Sequence, residues 1–239
     1  MLIEYMIQFF APDIANDPVL PESDSQHCVR VLRMREGDEV EVVDGKGYRY
    51  LCRLIDAHPK HAMVEIVERT EHPLPWANEL TIAVAPTKNM DRMEWRVEKL
   101  VEIGVNRFVP LLCRYSERKE IKQERLEKIA VSAMKQSLKA VLPEIEPMTP
   151  FKDFIATAHA EQKFIAYCSP EIPRRLLQHV YQPGKSAIML IGPEGDFSQQ
   201  EIEAALAAGY QPVSLGDNRL RTETAALYSL SAMQILNQV

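Results

Sequence analysis

The sequence predicts an α/β protein in which a small β-rich domain precedes a larger domain built on a mainly parallel sheet. Three observations carry this. The 239 residues suffice for one large core or two smaller ones. Between residues 38 and 69 the chain reads as short strands separated by turn residues. From residue 80 onward, apolar strand-like runs alternate with stretches of helical periodicity, the pattern of a parallel sheet covered by helices on both faces. The expected domains are 1–72 and 73–239, joined by the proline-bearing HPLPWANE at 72–79.

In the first domain, SDSQHCVRVLRMREGD predicts a short helix capped at Ser23 or Ser25 and stopped at Gly37. Val29, Leu32 and Met34 lie on one side of it; His27, Arg30, Arg33 and Arg35 lie on the other. The strands EVEVVD, YRYLCRLIDA and AMVEIVER follow, with a DGKG turn at Asp44–Gly47, and predict a small antiparallel sheet or barrel. In the second domain the strands are LTIAVA (80–85), RFVPLL (107–112), KFIAYC (163–168), SAIMLI (186–191) and PVSL (212–215). Helices are expected at about 89–103, 122–140, 151–159, 171–180, 199–208 and 223–237, two of them ending at Gly104 and Gly209. In the second helix, Leu126, Ile129, Ala130, Ala133, Met134 and Leu138 recur at 3-4 spacing and are expected in the core.

Composition narrows the class. The apolar start MLIEYMIQFF carries Glu4 and Gln8 and lacks a basic flank and a cleavage pattern, and no apolar run is long enough for a membrane span. A soluble, cytoplasmic protein without a membrane partner is expected. Cys28, Cys52, Cys113 and Cys168 stand far apart without a metal-ligand spacing, so neither disulfides nor a metal is expected. The net charge of −6 disfavours a nucleic-acid partner, but it is unevenly spread. Residues 1–72 hold 8 basic and 14 acidic residues, whereas 73–239 hold 20 of each. Within the neutral part, Arg107–Lys139 has nine basic residues against four acidic ones. That stretch is either a solvated helix face laced with ion pairs or a phosphate-facing surface.

Two segments carry candidate chemistry. The first, IGPEGDFSQQE (191–201), follows a buried strand and opens a helix. Gly192 and Gly195 allow a tight turn and close approach to a ligand, Pro193 stiffens the turn, and Ser198 with Glu201 makes a capping box. Glu194 in the turn suits a phosphate poorly; a neutral or zwitterionic ligand held by backbone groups fits better, and a plain strand-to-helix turn is the bland alternative. The second, SLGDNRLRTETAALYSLSAMQIL (214–236), leaves a strand through a loop dense in polar groups into a helix apolar on nearly every side. Such a helix is buried in the fold or against a second subunit. Thr222 or Thr224 can serve simply as its cap and Glu223 as a partner of its N-terminal dipole.

IGPEGDFSQQEI followed by SLGDNRLRTETAAL resembles the cofactor signature of the RsmE family, in the SPOUT class of RNA methyltransferases. KNMDRMEWRVEKLVEIGVNRFVPLLCRYSERK, MKQSLKAVLPEI and HCVRVLRMREGDEVEVVDGKG resemble further family blocks in the same order, so nearly the whole chain is covered. The resemblance implies a PUA-like β-barrel, which is an RNA-binding domain, followed by a trefoil-knotted α/β methyltransferase domain that works as a homodimer through its last helix. It implies S-adenosyl-L-methionine as cofactor and methylation at N3 of a uridine in the decoding region of the 16S (small-subunit) ribosomal RNA, free or in the assembled subunit. Carried onto this chain, it implies cofactor contacts at Leu190, Ile191, Gly192, Pro193, Glu194 and Gly195, at Leu215, Gly216 and Asn218, and at Leu220, Arg221, Thr222, Thr224 and Ala225. Tyr167–Ser169, with Cys168 at its centre, forms a third loop. Arg221 and Glu223 are the expected catalytic pair, Arg221 polarising a uracil carbonyl and Glu223 accepting the N3 proton. Arg30, Arg33, Lys88, Arg92 and Arg114 are the expected RNA contacts.

The chain departs from the family pattern at three positions. The usual Arg of the first strand is missing from Met6–Phe10, Asp196 stands where a second Gly is common, and Lys135 stands where an acid is usual. Two other functions remain open on sequence alone: a catalytically inactive RNA-binding protein of the same fold, and a small-molecule α/β enzyme, which would suit the acidic total charge.

Overall fold

The computed structural model describes residues 7–168 and 174–238. The chain divides into two compact units: Met1–Pro75 with Val131–Leu142, and Trp76–Ala130 with Pro143–Val239. The division falls three residues after the expected boundary, and it assigns a discontinuous segment to the first unit that no linear reading anticipates. Among the described residues no helix is long and apolar enough to cross a membrane.

The first unit contains β1 (Gln8–Phe10), α1 (Glu22–Gln26), β2 (Glu39–Val43), β3 (Tyr48–Asp56) and β4 (Met63–Glu71) in one sheet of order β1-β2-β3-β4. The three predicted strands pair antiparallel, but β1 lies parallel to β2, so the sheet is mixed. Phe9, Ile14, Leu20, Val42, Tyr50, Leu54 and Val64 close its apolar core. α1 passes directly into a π-helical turn at His27–Val31. It is Arg33, in the left-handed region at φ 58°, that ends the helix, not Gly37. The Met34 N–H then reaches back to the Cys28 carbonyl and closes the end. Two of the departures from the family pattern find internal partners. Gln8 in β1 donates to the Lys139 carbonyl at 2.7 Å, and the Lys135 ammonium lies 2.7 Å from Asp24, whose other oxygen accepts the Phe10 N–H.

The second unit runs β5 (Leu80–Val84), α2 (Met90–Ile103), β6 (Arg107–Leu112), α3 (Gln123–Gln136), β7 (Glu144–Ile145), β8 (Thr149–Pro150), α4 (Phe151–Thr157), β9 (Gln162–Ala166), β10 (Arg175–Leu176), β11 (Ala187–Ile191), α5 (Gln199–Ala207), β12 (Gln211–Ser214) and α6 (Thr222–Asn237). The second half of α3 falls in the segment assigned to the first unit. The main sheet has the order β10-β12-β9-β11-β5-β6-β7, with β8 beside β6, and its pairs are parallel. All residues of the central strands β5 and β11 are buried, as a sheet covered on both faces requires. On one face Ala83, Val109, Leu111, Ile165, Ile188 and Leu190 join α4 and α5 in an apolar cluster. On the other, α2 packs along α6, which also rests on β5 and β11.

The predicted helix at 122–140 stops at Gln136, and Leu138 turns the chain at φ 54°, exposed instead of in the core. Of the helix expected at 171–180, residues 171–173 lie outside the described residues. Arg175 and Leu176 are in β10, followed by one 3-10 turn at Leu177–His179. Pairing with Val213 and Ser214 of β12 decides this, a tertiary contact that overrides local pattern.

α2 ends at Gly104 with φ 110°, a conformation that favours glycine. A Cβ there would lie 2.1 Å from the Trp76 ring, which is fixed by its indole N–H donating to Asn106. Gly104→Ala is expected to lower the free energy of unfolding by about 3 kcal/mol, combining left-handed strain with displacement of a packed ring. Urea denaturation followed by Trp fluorescence measures this, and a loss under about 1 kcal/mol would refute the close approach.

Candidate active site

Because every strand of the main sheet runs in the same direction, the loops after β9, β11 and β12 emerge side by side at the carboxyl edge. They enclose a cleft of about 940 Å³. Its walls come from Ala166–Cys168 and Arg174 after β9, Ile191–Asp196 after β11, and Val213–Glu223 with Ala225 after β12; Arg92 of α2 completes it.

The β11 loop is shaped by local chemistry. Ser198 caps α5 in a complete capping box: its side chain accepts from the Glu201 N–H while the Glu201 carboxylate accepts from the Ser198 N–H. Gly192 is required by space: a Cβ would lie 3.1 Å from the Phe197 nitrogen. Gly195 is less constrained, its nearest neighbour being Tyr115 at 3.4 Å. The residue in the left-handed region is Asp196, at φ 65°. A left-handed conformation favours glycine and is tolerated by Asp, which is the residue here. One Asp196 oxygen accepts its neighbour's N–H at Phe197, and the other accepts the Cys168 N–H at 2.8 Å, which ties the β9 loop to the β11 loop. The buried Tyr167 hydroxyl has its pKa raised by desolvation, with the Arg174 cation opposing and the Asp196 carboxylate adding to the shift.

The β12 loop is tied in turn. Thr222 does not cap α6 through its side chain. The N-cap is Arg221, which makes no side-chain cap, and the buried Thr222 hydroxyl donates to the Gly192 carbonyl at 3.2 Å. Glu223, 8% exposed, faces Arg92 of α2 with Nη1 and Oε1 3.5 Å apart. One turn further along α2, Arg96 is wholly buried; its Nη1 donates to the Ala85 carbonyl, while its Nε and Nη2 have no partner.

The structure therefore gathers most of the expected residues. Cys168, Ile191, Gly192, Pro193, Glu194, Gly195, Leu215, Gly216, Asn218, Leu220, Arg221, Thr222, Glu223 and Ala225 all line the cleft. Leu190 does not, because its side chain points into the sheet core, and Thr224 is exposed on α6 outside it. Ser169 lies outside the described residues. Arg92, expected as an RNA contact, lines the cleft and pairs with Glu223. Lys88 pairs with Glu117, and Arg114 donates to the Gln200 side chain; Arg30 and Arg33 are exposed on the first unit. Arg174, Asp217 and Arg219 were missed as lining residues, and Arg96, buried on α2 one turn from Arg92, was not singled out. For Arg96 the available signal was a charge on the apolar side of α2, flanked by Met93, Val97 and Leu100. Among the described residues no group of three or more His, Cys, Asp or Glu is placed to hold a metal ion.

Asp196 offers a sharp test of how the loops are joined. Asp196→Gly loses the tie to Cys168 but gains left-handed freedom, whereas Asp196→Ala loses the tie and keeps the strain. Thermal unfolding is expected to show Asp196→Ala the less stable of the two by about 1 kcal/mol, and equal stabilities would remove the strain argument.

Known proteins bear on this geometry. A family model described as an RNA methyltransferase domain matches residues 74–234, and one described as an RNA methyltransferase PUA domain matches 20–67. A crystal structure of a probable rRNA-methyltransferase from Porphyromonas gingivalis superposes with a TM-score of 0.91 at 45% identity, covering 97% of this chain and 98% of that one. A ribosomal RNA small subunit methyltransferase E from Neisseria gonorrhoeae, solved bound to S-adenosyl methionine, gives 0.84 at 29% identity, with 97% and 98% covered. The Synechocystis ribosomal RNA small subunit methyltransferase E is 32% identical over 87% of this chain and 69% of its own length. With matches of this extent over both units, and with the cleft formed by the two motifs that carry the sequence resemblance, the chain belongs to the ribosomal RNA small subunit methyltransferase E family.

Proposed function

We propose that the chain catalyses S-adenosylmethionine-dependent methylation at N3 of one uridine in the decoding region of the small-subunit ribosomal RNA. The observation that carries this is the convergence of Ile191–Gly195, Leu215–Gly216 and Leu220–Ala225 on one cleft with Arg221 and Glu223 at its rim. The cleft fits the cofactor. Its volume of about 940 Å³ is within the range of sites for ligands of that size. Ile191–Gly195, Leu215, Gly216, Asn218 and Leu220–Ala225 would hold it, with Cys168 at the third wall. When bound, S-adenosylmethionine supplies an electrophilic methyl group on a sulfonium centre that leaves as a neutral thioether.

The protein's own work is then to align uracil N3 and take away its proton. Glu223 suits the second task, because it is the carboxylate nearest the α6 N-terminus and its orientation is held by Arg92. The proton passes from N3 to the Glu223 oxygen, directly or through one water. Arg221, exposed at the N-cap, suits the first: its guanidinium donates to a uracil carbonyl and offsets the negative charge that develops as the proton leaves. Arg30, Arg33, Lys88 and Arg114 are assigned to the RNA backbone, and Arg92 joins them through its half-exposed guanidinium. Exposed Tyr115, whose Cβ lies beside Gly195, adds a surface on which an unpaired base can stack.

The same reading assigns a trefoil knot to the methyltransferase domain, with the Thr222–Gly192 bond holding the threaded loop. It also assigns a homodimer. Tyr228 and Ile235 of α6 and Trp95 of α2 remain exposed, so the apolar α6 is only half covered within one chain. An rRNA substrate places the enzyme in the cytoplasm.

The test is methyl transfer from labelled cofactor to small ribosomal subunits. Glu223→Gln and Arg221→Ala are each expected to reduce turnover by more than 50-fold, and Glu223→Gln to leave cofactor affinity within about fivefold by calorimetry. Deleting the gene is expected to remove one N3-methyluridine from the rRNA. An unchanged modification map would overturn the substrate, and turnover of both variants within a few-fold of wild type would overturn the residue roles. Absence of thermal stabilisation by the cofactor would favour an inactive RNA-binding protein instead.

A further inference from the structure

The most unusual group near the site is one that does not line it. Arg96 has no exposed surface and is the largest fully buried side chain among the described residues. A guanidinium carries five N–H donors. Here one nitrogen, Nη1, bonds to the Ala85 carbonyl at 3.1 Å, and the Nε and Nη2 groups are left without partners. Its place is defined by the backbone. Ala85 follows β5 directly, and the Ala85 N–H donates to the carbonyl of Ile191, the first residue of the cleft loop after β11. The guanidinium therefore lies at the sheet edge where the Ile191–Gly195 loop begins. Arg96 also stands four residues after Arg92, hence one turn along the same face of α2, and α2 packs along α6.

We propose that Arg96 is a positioning residue for methyl transfer: a buried cation, one turn along α2 from the Arg92 that faces Glu223, whose charge biases the Glu223 carboxylate toward its working orientation. An isolated buried charge is costly, and replacing such a group by an apolar side chain of similar length is commonly neutral or stabilising. Retention of this one is explained if the charge acts on the site. Burial lowers the Arg96 pKa to about 10, and Glu223 and Glu194 are the two carboxylates whose fields oppose that fall. The cation persists at neutral pH, with its Nε and Nη2 groups committed to no hydrogen bond. Arg92, half exposed, can then exchange Glu223 for an RNA phosphate without the carboxylate being left unheld.

The inference rests on Glu223 acting in methyl transfer, and the test separates the two. Arg96→Met, Arg96→Lys and both combinations with Glu223→Gln are compared on small ribosomal subunits under steady-state conditions, alongside melting temperature and cofactor affinity. Arg96→Met is expected to melt no lower than wild type and to keep cofactor affinity and substrate KM within threefold, yet to lose at least tenfold in kcat. Arg96→Lys, which keeps the charge with a shorter reach, is expected to recover about half of that loss on a logarithmic scale. In the Glu223→Gln background neither change is expected to cost more than twofold. A folded Arg96→Met enzyme with kcat within threefold of wild type overturns the proposal, as does an equal loss in the Glu223→Gln background. If Arg96→Met does not fold, the Arg96→Lys cycle decides by the same criterion. Wild-type turnover by Glu223→Gln itself would overturn the role of Glu223 and this proposal together, whereas an impaired Glu223→Gln beside an unimpaired Arg96→Met overturns this one alone.

Discussion

The site depends on one hydrogen bond, from the buried Thr222 hydroxyl to the Gly192 carbonyl. It joins the loop after β12 to the loop after β11 across a sheet in which β9 stands between those two strands. The parallel sheet brings the two motifs to one edge, and this bond ties them together as walls of one cleft. The Asp196 carboxylate performs the matching task for the third wall by accepting the Cys168 N–H. Both ties are made to backbone groups, so the walls present main-chain donors and acceptors at fixed separations. A mixed polar and apolar ligand can be read by such walls without any charged side chain being committed to it.

Below those loops the core bears an uncommon electrostatic load. The fall of the Arg96 pKa to about 10 by burial corresponds to roughly 3 kcal/mol of stability lost at neutral pH. The sign follows from linkage: the unfolded state binds the proton more tightly, so folding would become more favourable as pH rises above about 10. The surrounding contacts outweigh the loss. Met93, Val97 and Leu100 of α2 and Leu230 and Met233 of α6 are fully buried, each worth about 1.5–3 kcal/mol. The α2–α6 seam is thus both the hydrophobic anchor of the last helix and the mount for a charged group, and the first role makes the second tolerable.

What the sequence disclosed and what it withheld divide along the range of the interactions. The capping box at Ser198 and Glu201 is local chemistry at three-residue spacing, and the structure contains both of its hydrogen bonds. The apolar runs of β5 and β11 were legible because strands buried on both faces need no alternation. Failures occur where a distant partner decides. β10 exists because β12 offers it an edge, and β1 runs parallel to β2 although the strands after it alternate in direction. The backbone conformations of Arg33, Leu138 and Asp196 are left-handed without being glycine, so the usual punctuation marks lie elsewhere. Arg92 was expected on the RNA, and Arg96 was not singled out on a helix of mixed charge. Only the packing of α2 along α6 sets the first against Glu223 and buries the second.

The acidity of the first unit, which argued against RNA, has a structural resolution. Asp24, Glu41 and Asp44 are all buried, and each is consumed internally. Asp24 holds Lys135 and the Phe10 N–H, Glu41 lies 3.2 Å from Arg49, and Asp44 accepts from the Lys46 and Tyr48 N–H groups and the Tyr50 hydroxyl. These carboxylates order the sheet and are screened from solvent by the groups they bind. Arg30, Arg33 and Arg35, by contrast, are exposed along the end of the first helix. A polyanion samples the outward-facing charge and its distribution, not the formal total. The surface of the first unit is therefore less acidic than its composition states, and its excess of acid is in part the internal cost of a small mixed sheet with few apolar residues to spare.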